Sequence, residues 1–137
     1  MLVDGSGVPL GVAIAGANVH DQKLVTETFA SLPIRRPRPK PGKKQHLCAD
    51  KGYDAQAVRV AARRRRYEVH VPRKGEPTST RGRRNAKARR WVVERTHSWT
   101  NRARRLLIRW EKRAANYLAF VHFQFAITAL RAATVLG

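Results

Sequence analysis

HLCADKGYDAQAVRVAARR, residues 46–64, is the stretch whose reading decides the fold. His46 to Ala49 has the length and character of a short apolar strand, and it stops abruptly at Asp50-Lys51-Gly52-Tyr53-Asp54. From Ala55 to Arg65 the pattern is helical, with Val58, Ala61 and Ala62 facing inward and Asp54 placed as the N-cap. Tyr67 to Val71 then alternates as a second strand, and Pro72 ends it. Strand, helix and strand in close succession predict an α/β fold with a mixed sheet. In open α/β sheets chemistry gathers beyond the carboxyl ends of strands, and Asp50 lies at such an end. Gly52 beside it lets the backbone turn sharply. A plain turn-forming or capping role would explain the same aspartate equally well.

Working outward, the amino-terminal side opens with a turn signal, Gly5-Ser6-Gly7, between residues 1–4 and the small apolar run 8–17. The two runs predict a hairpin whose first strand is cut short, leaving Val12 and Ile14 uncovered. Asn18-Val19-His20-Asp21 marks the strand exit. Residues 22–32 fit a helix with Leu24, Val25, Thr28, Phe29 and Leu32 inward. Residues 33–44 hold four prolines and predict an exposed loop. On the carboxyl side, 73–84 is basic and rich in Gly, Ser and Thr. Helices are expected over 85–106 and 112–135, the last with Tyr117, Phe120, Val121, Phe123 and Leu130 as core.

At about 100° per residue, the 85–106 helix gathers Val92, Trp99, Ala103 and Leu106 into one apolar stripe. Glu94 falls opposite, beside Lys87, Arg90, Ser98, Asn101 and Arg105. A carboxylate on a basic helix face can hold a divalent metal while arginines grip phosphates. It can equally form an ordinary ion pair with Arg90 one turn away.

The 137 residues suit one domain with a real core, and the 42% hydrophobic content excludes compositional disorder. Lysine and arginine total 29 against nine acids, a formal charge of +20. The expected partner is a polyanion, above all nucleic acid, bound in a salt-dependent way. Cys48 is the single cysteine, which excludes a disulfide framework and a cysteine zinc site; its neighbour Leu47 suggests a small buried hydrophobe. The apolar run 114–130 carries Asn116, His122, Gln124 and Thr128, so it reads as a buried helix and not as a membrane span. No signal peptide is evident, and a cytoplasmic location on DNA is expected.

Three segments and the apolar tail that follows them are similar to one family. They are LVDGSGVPLGVAIAGANVHD (2–21), CADKGYDAQAV (48–58) and RRWVVERTHSWTNRARRLLIRWEKRAANYLAF (89–120). The chain resembles the carboxyl-terminal part of a bacterial insertion-sequence transposase of the DDE type, in the insertion-sequence-five group. The resemblance implies an RNase H-like mixed sheet with flanking helices, truncated at its amino-terminal strand. Residues 1–137 would form a single partial catalytic domain, with 1–17 a hairpin remnant.

The resemblance further implies three acids holding Mg2+ or Mn2+. Asp50 matches the second acid and Glu94 the third. Arg90 matches the arginine of the family's tyrosine–arginine–glutamate–lysine signature, whose tyrosine and lysine positions here hold Lys87 and Asn101. His20 and Asp21 match a strand-exit dipeptide near the site, where His97 is also expected. Lys51, Lys87, Arg89, Arg90, Arg95, Arg102, Arg104 and Arg105 are the expected DNA contacts. No residue here matches the first acid, so metal binding should be weak and the chain alone inactive. The expected function is transposition, meaning metal-dependent cleavage and transfer of DNA strands at element ends. The upstream transposase segment is an expected partner, and a homo-oligomer is compatible with the sequence. The alternative is a non-catalytic basic DNA-binding protein that competes with or assists an intact transposase.

Overall fold

The strand–helix–strand unit around Asp50 forms close to its expected bounds. The computed structural model describes residues 1–34, 37–72 and 90–135. Along them run strands β1 (Leu2–Val3) and β2 (Pro9–Gly11), helix α1 (Val25–Ala30), strand β3 (Gln45–Cys48), helix α2 (Gln56–Arg64) and strand β4 (Tyr67–His70). Helices α3 (Arg90–Asn101), α4 (Arg104–Leu107) and α5 (Ala114–Val135) follow. Short 3-10 helices occupy Asp21–Leu24 and Lys51–Tyr53. The basic segment 73–84, with Lys87 and Arg89, lies outside the described residues. None of the described helices is long and apolar enough to cross a membrane.

β3 and β4 pair in parallel, Gln45 opposite Tyr67 through Cys48 opposite His70. The crossover helix α2 buries Val58 and Ala62 to 2% and 0% exposure, which fixes its inner face. Removing a valine side chain from water contributes about 1.5–3 kcal/mol. Asp54 does not cap α2. The N-cap is Ala55 without a side-chain bond, and Asp54 instead pairs with Arg59 at 2.7 Å. Arg59 also donates to the Val71 carbonyl at 2.9 Å, tying α2 to the end of β4. One guanidinium thus satisfies both the Asp54 carboxylate and the Val71 carbonyl, which favours the ion pair over a cap. Phe29 of α1 is 3% exposed and stacks on Tyr67 of β4 at 5.7 Å.

β1 and β2 make the expected hairpin, antiparallel, with Leu2 opposite Gly11 and Val3 opposite Pro9. Its second strand is shorter than 8–17 because the Val12 N–H leaves the ladder and donates to Ser31 Oγ at 2.9 Å. Gly11 permits this approach: a Cβ there would sit 2.9 Å from Ser31 Oγ and 3.0 Å from the Thr28 carbonyl. The mixed sheet is therefore present as two separate two-stranded ladders among the described residues.

A second core gathers Val12, Leu106 and Val121, with Ile14, Tyr117 and Phe120 packed against it. Val12 is thus covered, and Ile14 partly so, by α5 and not by a strand. Two further corrections concern α5, where Phe123 and Leu130 are both 65% exposed. The long 85–106 helix is broken. Ala103 adopts an extended backbone (φ −78°, ψ 100°) between α3 and α4. The last turn of α3 tightens to i,i−3 bonds, Arg102 N–H to the Trp99 carbonyl and Ala103 N–H to Thr100. The break lets Leu106 join Val12 and Val121. Cys48 is exposed and not the buried hydrophobe its neighbour suggested, because strand alternation turns Leu47 inward and Cys48 out.

Candidate active site

Asp50 follows β3 by two residues, with extended backbone and an exposed side chain. Its Oδ1 accepts the Gly52 N–H at 2.9 Å, and its carbonyl accepts from Tyr53 at 3.1 Å. The capping role is thus real, and it occupies one carboxylate oxygen. Gly52 is needed for closeness, since a Cβ there would meet that Oδ1 at 3.0 Å.

Glu94 is exposed on α3. The helix beneath it is held by the turn of the β1–β2 hairpin. In that turn Asp4 Oδ1 accepts the Ser6 and Val8 N–H groups, each at 2.8 Å. Gly7 takes φ +86°, a left-handed conformation that glycine adopts without penalty. The Gly7 carbonyl lies 2.7 Å from Thr96 Oγ1, which shares its proton with the Val92 carbonyl at 3.0 Å. Thr96 is 1% exposed. Next to it the Arg95 guanidinium donates to the Ser6 carbonyl. The same group lies between the Trp91 and Trp99 rings, 4.8 and 4.9 Å from their centroids. Such stacking suits arginine, whose flat cation attracts ring faces.

Asp21 opens the first 3-10 helix, which packs against the second one, Lys51–Tyr53. Burial pushes the Tyr53 hydroxyl above its ordinary pKa, and the carboxylates of Asp21 and Asp50 push it further. His97, one turn after Glu94, is held below its usual value by packing around the ring and by the Met1 ammonium, with Asp21 opposing. The Met1 ammonium is itself lowered by burial, again with Asp21 opposing. Asp21 therefore acts on Tyr53, beside Asp50, and on His97, beside Glu94.

The basic residues divide into two groups. Arg95 and Arg105 are engaged within the fold. Arg105 Nε donates to Glu111 Oε1 at 2.6 Å and its guanidinium lies 4.3 Å from the Phe120 ring centroid. That guanidinium holds the Glu111 carboxyl below the usual carboxylate range. Arg102 and Arg104 are exposed, as are Lys51 and His20. Arg90 is described in its backbone only. One grouping escaped the sequence entirely: His46, Glu68 and His70, all exposed on the β3–β4 ladder. Only the register could reveal it, since the residues lie on two strands.

The family described as "Transposase DDE domain" matches residues 1–128. A putative transposase for insertion sequence element IS402 from Burkholderia cepacia is 40% identical over 124 residues, 88% of this chain and 56% of that protein. The chain thus spans about half the length of this curated relative. No solved structure matches. Matched by the family over residues 1–128 and 40% identical to that relative, the chain belongs to the DDE-domain family of insertion-sequence transposases.

Proposed function

We propose that the chain is a catalytic segment of RNase H-like architecture in which Asp50 and Glu94 hold a divalent cation against DNA. The observation that carries the proposal is the family match over residues 1–128, with Asp50 exposed just beyond β3 and Glu94 exposed on α3. Family membership implies divalent-metal use, and the donor chemistry fits: carboxylate oxygens suit Mg2+ or Mn2+. When bound, such ions activate water and neutralise charge on the leaving oxygen of a phosphodiester. Asp50 offers the oxygen that its turn leaves over. Glu94 projects from a helix clamped at Arg95 and Thr96, which fixes its direction. Arg102 and Arg104, exposed beyond that helix, grip phosphates together with Lys51.

Asp4 is committed to its hairpin turn by two N–H donors and is not available as the third acid. We assign that acid to an upstream transposase segment, joined in frame or supplied as a separate chain. The chain alone then binds the cation weakly, and strand transfer needs the segment. A cytoplasmic site of action on element ends and target DNA follows.

A nicking assay with Mn2+ on DNA carrying the element ends tests the proposal. The 137-residue chain should not cleave, and an in-frame fusion with the upstream region should. In the fusion, Glu94→Gln or Asp50→Asn should abolish cleavage while a mobility-shift assay still detects DNA binding. Cleavage by the chain alone would overturn the assignment of the third acid and point to Asp21. Cleavage surviving both substitutions would overturn the site.

The charge of +20 and the exposed Arg102 and Arg104 favour a second reading, a non-catalytic DNA binder that competes with or assists an intact transposase. It predicts binding without any metal-dependent cleavage by the fusion. Both readings require affinity that falls with salt, with a log–log slope of about −0.9 per neutralised phosphate.

A further inference from the structure

We propose that His46, Glu68 and His70 form a transition-metal site that takes Zn2+ and is separate from Asp50 and Glu94. The parallel register sets His46 directly opposite Glu68, with His70 two pairs further along and so on the same face. All three side chains are exposed, on the face that β3 and β4 share. One ligand atom from each residue lies within 4.8 Å of the other two. His46 Nδ1 and His70 Nε2 are already 2.7 Å apart.

At Zn–N distances near 2.0–2.1 Å, neighbouring ligands of a tetrahedral ion stand about 3.3 Å apart. The imidazoles need only open by a fraction of an ångström, and the Glu68 carboxylate needs only to swing inward. Two imidazoles and one carboxylate select zinc and its neighbours over magnesium, which prefers oxygen alone. Three protein ligands leave one position for water. Without metal, the His46–His70 contact is a hydrogen bond between one N–H and one lone pair. Metal binding asks each of these nitrogens for its lone pair, which neutral rings supply through tautomers.

Lys44 stands against the site. Its ammonium is 3.4 Å from Glu68, and the ion must displace it from the carboxylate. The benefit falls on the ladder. A parallel pair of four residues per strand is marginal alone, and a metal bridging both strands stabilises it. That ladder ends at Ala49, whose N–H donates to the His70 carbonyl at 3.1 Å, immediately before Asp50.

Calorimetric titration of the tag-free full chain with ZnCl2, in excess Mg2+, tests the proposal. One ion should bind per chain. His46→Ala and His70→Ala should each weaken binding at least about tenfold. Lys44→Gln should tighten it, because the competing ammonium is gone. Asp50→Asn combined with Glu94→Gln should leave it unchanged, which separates this site from the proposed catalytic one. A hundredfold excess over Kd should raise the thermal midpoint by roughly 5–10 °C. Circular dichroism of each variant shows that a loss of binding is not a loss of folding. Affinity indifferent to His46 and His70, or lost with Asp50 and Glu94, would overturn the site.

Discussion

The bond that fixes Asp50 spans two positions of chain, from its carboxylate to the Gly52 N–H. Those that fix the helix of Glu94 span 89, from Arg95 to Ser6 and from Thr96 to Gly7. One acid is placed by its neighbours and the other by a distant turn. The difference shows in the glycines. Gly52 keeps an ordinary backbone and only makes room for a movable carboxylate, whereas Gly7 is left-handed and wedged under two side chains. A site assembled this way is sturdy on one side and dependent on tertiary closure on the other.

Gly7→Ala attacks the dependent side hardest. The added Cβ would lie 3.0 Å from an Arg95 nitrogen and 3.2 Å from Thr96 Oγ1, at φ +86°. Urea denaturation should show a loss of about 2–3 kcal/mol, combining left-handed strain with the clash. A change below half of that would mean that the turn does not hold α3. Thr96→Val should come next, at about 1–3 kcal/mol, because it leaves the Gly7 carbonyl buried without its donor. Gly52→Ala is the matching change on the local side. It should cost under about 1 kcal/mol, since Asp50 can swing its carboxylate away. Its effect should instead appear as weaker Mn2+ binding by the upstream fusion, and a stability loss as large as that of Gly7→Ala would erase the contrast.

The Arg105–Glu111 pair adds the smallest effect and is read by pH. The folded carboxyl is held below its unfolded value, so its contribution is fully present above the ordinary carboxylate range. It is lost as pH falls through the lowered folded value. Glu111→Gln should therefore lower stability slightly at neutral pH and flatten the acid limb, so that the two profiles converge at low pH. An unaltered acid limb would exclude the pair as a source of acid sensitivity.

Legibility in the sequence follows the same division. Strand 45–48, the turn after it and helix 56–64 could be read because their signals are local: alternation, a glycine, a helical period. The loop of four prolines was equally plain. The break at Ala103 was invisible, because Leu106 fits the apolar stripe of a continuous helix as well as the observed core with Val12 and Val121. Arg95 looked like a phosphate contact, yet its partners are Ser6, Trp91 and Trp99, two of them on its own helix and one a turn far away in sequence. Asp54 looked like a cap until Arg59 claimed it. Composition made Phe123 and Leu130 core residues, but the described neighbours do not reach them. The His46–Glu68–His70 grouping required the β3–β4 register, which no single segment specifies.

The 89-residue reach from Thr96 back to Gly7 also sets an order of events in biosynthesis and refolding. The hairpin turn leaves the ribosome long before the helix that locks it, so during translation it waits without its partner. Closing so long a loop costs entropy that grows only slowly with length, yet contacts of this span delay folding. The Asp50 unit can organise while the chain is still growing. The α3 side, held by contacts that span 89 residues, must follow it.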